Sequence, residues 1–492
     1  MMVFVAEITA AIDALGNTQT FYASSGDGFT TKPSDTPANT PICPFLLDPG
    51  NYRREMFSGN RTFGAVRPAF GEAVLKNEKA AFDDWRAYGF DGRAYTLRWG
   101  EQGAAYPSEF TTIFVGAMEG ITMDFRELRI RLRDSLKLLE KPVLNETFAG
   151  TGDLEGDSAL AGQAKQRILG QTLYPPPQII DRTDLTYWIS SGTGTGLSVW
   201  DMGVQLSNGG AYASLADLLA TSPSAGEYRT YFGGPVIMRL GSNPNGDLRI
   251  AFDGKQTDTT AWNLTDFIAE AGYSGTVTGT LDPVGHLVDS SSTTYLDILT
   301  QSAARLGKFF GFNRLGEFEV EDFAAPTGTP VYTFTRHNTV GPITRSPPDG
   351  APVPAFRFNV NAGRSWPSQL AGAAGVTRAT FSRSPWYANY SHADETILLK
   401  HPSAEAINLD VQPSMATSIW TALRDKFVAW FFVDRDQITV KSLLTAETLV
   451  LDIGDVVEVK IPRFGYDAGK LFKIVAVRYD LKAKKIEHVL WG

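Results

Sequence analysis

The glycine-rich run Ser191–Trp200, five scattered histidines, one cysteine and a few carboxylate pairs have the side chains and spacing most suited to chemistry. The run "SGTGTGLSVW" is glycine-dense like a phosphate loop. It lacks the strand–GxxxxGK[ST]–helix order and the spacing of a dinucleotide loop, so it reads as a flexible loop. The histidines (286, 337, 392, 401 and 488) show no metal spacing such as HExxH. His488 falls inside the last strand, where an edge or interface position accounts for it. Cys43, in "PICPF", has no histidine partner motif, and no serine carries a GxSxG elbow. Asp83–Asp84 and Glu319–Glu321 are carboxylate pairs of the kind a glycosidase uses. With 54 acidic residues such neighbours are expected by chance. Trp386, Tyr387 and Tyr390 suit either a sugar site or a strand or interface, and the second reading is preferred. The expectation is a non-enzymatic chain with no metal and no cofactor.

The elements that would position these residues are mostly strands. Of 492 residues, 47 are glycine and 27 proline, with 12% aromatics, a mix favouring short strands joined by turns. The length suggests about three domains. A net charge of −9 argues against a general nucleic-acid binder. Lys482, Lys484 and Lys485 read as a solvated turn. One cysteine permits neither an intrachain disulfide nor a cysteine zinc cluster, consistent with synthesis in a reducing cytoplasm. The start, "MMVFVAEITAAIDALG", lacks the features of a signal peptide, and no apolar run approaches ~18 residues. A soluble protein without its own export signal or membrane insertion is expected.

Periodicity predicts a helix over 78–90, with Phe82, Trp85 and Tyr88 on one face. Strands follow at 92–100 and as a pair within 111–134. In the second of that pair Leu128, Ile130 and Leu132 point one way, and Arg129, Arg131 and Arg133 the other. Such an arginine face is solvated or an interface. Residues 145–170 read as a linker or extended arm. Short helices are predicted at 213–220 and 265–273, and a strand within 244–254. The clearest helix is 292–307, closed by Gly307, followed by a hairpin over 308–323. After a proline-rich boundary at 344–356 come the strand "RFNVNAGRSW", a helix at 414–427, and the strands "VAWFFVDR", "QITVKSL", "DVVEVKIPR" and a terminal pair.

The C-terminal third resembles the last domain of baseplate hub (tail-tip hub) proteins of tailed bacteriophages. There an "lxxGDxVxVxxPRxG" segment precedes a "Vxxxxxd" strand and a final strand ending "lWG". The matching residues are Leu451, Gly454, Asp455, Val457, Val459, Pro462, Arg463, Gly465, Val475, Asp480, Leu490, Trp491 and Gly492. The block 292–323 is similar to the helix and hairpin of the same hubs, and 356–366 to the strand that follows. The N-terminal portion, with "ICPFLLDPGNYRREMFSG" and "DGRAYTLRWG", is similar to virion proteins of siphophages. Residues 145–290 show no hub feature.

The resemblance implies a mainly β, multidomain α+β chain with tube-like β-barrel or sandwich domains at both ends and mixed middle domains. The expected division is 1–144 (tube-like, one helix), 145–175 (linker), 176–340 (mixed), 341–413 (strand-rich connector) and 414–492 (tube-like barrel). It implies a homotrimeric ring, at the distal end of a virion tail, that matches a six-fold tube to a three-fold tip. Implied partners are the tail tube or distal tail protein, the tape measure protein, a central fibre or receptor-binding proteins, and phage DNA in transit. A distal-tail adaptor ring and a cell-wall-degrading or sugar-binding tail protein are the alternatives. The expected interface or structural residues are Arg129, Arg131, Arg133, Trp430, Gly454, Asp455, Pro462, Arg463, His488 and Trp491. The strands at 113–134 and 471–492 echo each other, each passing an aspartate, Asp124 or Asp480, before a charged turn. Related barrels at the two ends would produce that echo, and so would any two β-hairpins.

Overall fold

A computed structural model describes residues 1–56, 64–257, 260–347, 354–366 and 385–492. The chain is mainly β and multidomain, as expected. Residues 348–353 of the proline-rich stretch lie outside the described residues.

The N-terminal sheet has seven strands in the order 18–24, 2–11, 94–101, 111–123, 127–133, 73–76, 46–48. Alternation fixes its inner face: Leu128 and Ile130 are fully buried, while Arg129 and Arg131 face solvent. The C-terminal sheet orders 332–335, 456–460, 470–480, 485–491, 437–443 and 344–346. The strand Tyr52–Glu55 adds to it by pairing with the second half of Lys470–Asp480. One hydrophobic core therefore runs through both ends of the chain, from Phe4, Phe114 and Ile130 to Phe427, Ile474 and Trp491.

The sequence echo corresponds to a shared topology. At the N-terminal end the antiparallel strands Ala73–Lys76, Ala94–Glu101, Thr111–Met123 and Glu127–Arg133 lie in spatial order second, third, fourth, first. At the C-terminal end Gln437–Leu443, Val456–Lys460, Lys470–Asp480 and Lys485–Trp491 lie in the same order, again all antiparallel. This is a Greek-key unit, in which the first strand returns beside the last. In both, the third strand carries a register shift against the fourth, at Met118/Gly120 and at Ile474/Ala476. Both hairpins turn on an aspartate: Asp124 Oδ1 accepts from the Arg126 and Glu127 amides, and Asp480 Oδ1 from the Ala483 amide.

Between the ends, two five-stranded sheets pack face to face. One holds 167–171, 194–201, 204–205, 248–254 and 286–288. The other holds 178–181, 186–190, 207–211, 227–231 and 236–240. Their inner faces share Ile168, Ile189, Val199, Met238, Ile250 and Phe252. The helix Tyr295–Leu306 follows, with a Thr294–Asp297 capping box and Gly307 in the left-handed region at φ 64°. The hairpin Lys308–Phe312/Phe318–Asp322 comes next. A three-stranded sheet, Trp386–Ala393, Arg357–Arg364 and Ala406–Val411, packs one face on the helix Thr417–Phe431.

Several expectations are corrected. The helix at 78–90 is two short 3-10 turns, Glu78–Ala80 and Asp83–Ala87, because Lys79 and Ala80 take positive φ and break any continuous helix. The aromatic strand "VAWFFV" is the end of a helix running to Phe431. Trp420, Leu423, Phe427, Trp430 and Phe431 recur at helical spacing and bury one face. The linker at 145–175 contains the sheet strand Arg167–Gln171 and the buried Phe148. Most of the glycine run forms the strand Gly194–Asp201. His488 is no edge residue: its strand is paired on both sides and its side chain is fully buried.

The terminal strand is internal to the C-terminal sheet, and Trp491 packs against Trp430 (5.0 Å between ring centroids) and Phe431 (5.6 Å). Trp491→Ala is expected to cost about 3–5 kcal/mol in chemical denaturation. Deleting 486–492 removes the fourth strand of the unit and part of the shared core, and should abolish the cooperative unfolding transition of the chain.

Candidate functional site

The ten residues expected from the sequence separate into four places. Trp430, Trp491 and His488 lie in the chain's own core. Phe323 stacks on Trp430 with centroids 4.3 Å apart, extending the aromatic cluster. Burial lowers the pKa of His488 to about 3, so the ring is neutral and packs as an aromatic beside Phe334. Arg129, Arg131 and Arg133 lie on the outer face of the N-terminal sheet. Arg129 pairs with Glu127 (2.7 Å), and Arg133 reaches Asp91 (3.5 Å). Glu72 lies 3.7 Å from Arg129 and 3.8 Å from Arg131. Pro462 and Arg463 sit on an exposed turn between the second and third strands of the C-terminal unit.

Gly454 and Asp455 occupy the fourth place, a charged junction where three parts of the chain meet. Its centre is Arg54, which the sequence analysis did not single out. Tyr52 and Arg54 share one parity of the strand Tyr52–Glu55, and that parity points inward. The Arg54 side chain is 0% exposed and pairs with Glu319 of the hairpin and Asp452 of the C-terminal unit, each at 2.6 Å. Burial opposes its charge, but Asp452, Tyr52 and Glu319 beside it outweigh that and hold the guanidinium protonated. Tyr52 lies between Phe114 and Tyr479, with ring centroids 5.6 Å from each. Nearby, Arg478 bonds Glu55 (2.7 Å) and Glu487 (2.8 Å), crossing the same seam.

Gly454 suits this place chiefly through its backbone. Its φ is +97°, and an added Cβ would lie 2.4 Å from Glu321 Oε2 and 3.1 Å from Phe309. Asp455 Oδ2 accepts from the Asp452 amide at 2.8 Å, and burial raises its carboxyl pKa. The Glu321 carboxyl, lying over Gly454, is pushed up to about 7, first by loss of water around it and then by repulsion from Glu319. Glu319 and Glu321 thus lie on one face of one strand, as alternation requires. Glu319 is committed to Arg54, so the pair joins segments of the chain. Among the described residues no group of three or more His, Cys, Asp or Glu is arranged to hold a metal ion. No described helix is long and apolar enough to cross a membrane.

No protein-family description and no curated protein matches this sequence. Solved structures give distant overlays. A tail protein from Neisseria meningitidis MC58 aligns at 9% identity and a TM-score of 0.44, covering 100% of this chain and 96% of that one. The 43 kDa tail protein of prophage MuSo2 from Shewanella oneidensis aligns at 10% identity and 0.40, covering 100% and 98%. A chain from the virion of a native gene transfer agent particle aligns at 12% identity and 0.43, covering 67% and 84%.

Arg54→Ala should cost about 3–5 kcal/mol in denaturant titration, because it leaves Glu319 and Asp452 without their cation. The raised Glu321 pKa gives a definite sign. Its contribution to stability is full below its ordinary value of 4.5 and is lost as pH rises through about 7. Glu321→Gln should therefore flatten the dependence of the unfolding midpoint on pH across that window.

Proposed function

We propose that this chain is a non-enzymatic structural protein of a phage tail and, within the tail, the hub of its tip. One observation carries the reading: the same four-strand Greek-key unit occurs at both ends of one chain. The hub-like motif of the sequence lies in the second of those units, with Gly454 and Asp455 at the charged junction and Leu490 and Trp491 in its core. Three chains would carry six like units. A ring of three then presents six similar edges to a six-fold tube on one side and true three-fold symmetry on the other. In this reading the ring continues the tube channel and DNA passes through it. It meets the tail tube or distal tail protein, the tape measure protein and a central fibre or receptor-binding protein. The surface arginines 129, 131 and 133 and the exposed turn at Pro462–Arg463 are the outward groups available to such neighbours.

The stoichiometry tests it. The purified full chain, concentrated or co-expressed with its neighbouring tail proteins, should give a particle of three copies by light scattering or native mass spectrometry. A six-copy ring would favour a distal adaptor instead. A chain monomeric under every condition and absent from purified virions would overturn both.

A further inference from the structure

The terminal strand Lys485–Trp491 carries a titratable group that the charged junction does not use. His488 is 0% exposed, on a strand paired with Gln437–Leu443 on one side and Lys470–Asp480 on the other. Among the described residues neither of its ring nitrogens has a hydrogen-bond partner. Val440 and Val477 lie directly across from it, and the Phe334 ring is 5.3 Å away between centroids. Ile438 and Ser442 share its inward parity on one neighbouring strand, Tyr479 on the other, and Ile486 and Leu490 on its own. Val457 and Val459 continue that face on Val456–Lys460. The charged side chains Lys441, Glu458, Lys460, Lys473, Arg478, Lys485 and Glu487 take the opposite parity. Lys470, at the far end of its strand, is bound to Asp436 at 2.9 Å. Arg54 and Asp452 reach the same core beside Tyr479, where they pair with each other.

An imidazole in water takes up a proton near pH 6.5. An imidazolium at this position would be a buried cation with no oxygen to receive either N–H. The other fully buried histidine is placed differently. His286 has Ser302 Oγ at 3.2 Å from Nε2 and Gln412 Oε1 at 3.4 Å from Nδ1, so a charged ring there would keep two acceptors. The acid-labile position is therefore His488. Loss of water holds its folded-state pKa down at about 3. The stability that the neutral ring contributes is full above its ordinary value of 6.5 and is lost as pH falls toward 3. Glu321 works in the opposite sense between about 7 and its ordinary 4.5, so it offsets part of this loss until pH drops below 4.5. The strand at stake ends in Trp491, which closes the aromatic cluster with Trp430 and Phe431.

We propose that His488 is an acid-sensitive lock on the terminal strand. Uncharged, it seals the core shared by the two Greek-key units; on taking up a proton it frees the strand and opens the Trp430–Trp491 contact. The inference does not depend on the chain's place in a tail. The test is denaturant unfolding of the full chain, followed by tryptophan fluorescence from about pH 7.5 to about pH 4. Wild type is compared with His488→Met, an apolar side chain of similar volume. Over that range the wild-type folding equilibrium should fall about a hundredfold relative to that of the variant. Histidine-labelled NMR of the wild-type chain reads the same group even where the variant does not fold. The His488 ring, assigned by its contact with Phe334, should stay neutral down to about pH 4.5. Two results would each overturn the proposal: a wild-type-to-variant ratio that changes less than about tenfold across the range, or a His488 ring that takes its proton above about pH 4.5 in the folded chain.

Discussion

Arg54 is the constraint on which the rest of the architecture depends. A guanidinium removed from water is tolerated only where carboxylates meet it with good geometry. Here the two carboxylates come from far apart in sequence, Glu319 and Asp452, and the arginine itself from a strand that pairs with Lys470–Asp480. None of these three segments can be placed without the other two. The N-terminal sheet, the middle hairpin and the C-terminal unit are thereby one folded body with one core.

That coupling bears on assembly. Two like Greek-key units on a flexible tether would sample many relative positions. Units held against each other by one shared core, with Tyr52 packed between Phe114 of the first and Tyr479 of the second beside the Arg54 junction, present their outer edges at a set angle. A ring closes only when successive edges meet at a fixed rotation. The ion cluster is thus a positioning device for the proposed ring, although it lies inside one chain.

Much of the fold was legible because its signals are local. The alternation of Leu128, Ile130 and Leu132 and the Gly307 stop each depend on neighbouring residues, and each stands in the structure. The failures have equally specific causes. Trp430 and Phe431 read as a strand because aromatics favour strands; burial of one helical stripe overrode that preference. Lys79 and Ala80 broke a helix through backbone angles that their side chains do not announce. Arg54, Asp452 and Glu319 could not be joined on paper, since their contact spans hundreds of residues. A weak signal did exist: an arginine sharing the inward parity of Tyr52 in the strand "YRRE". The hairpin echo was the reverse case, a faint similarity that tertiary pairing made definite.

The most direct test of the central claim is electron cryomicroscopy of the assembled tail tip, reconstructed without imposed symmetry. The account predicts three copies whose N- and C-terminal four-strand units alternate as six similar positions around one channel, with the Arg54 junction buried inside each copy. Units from one chain lying at different radii or in different layers, or a density holding another number of copies, would contradict it.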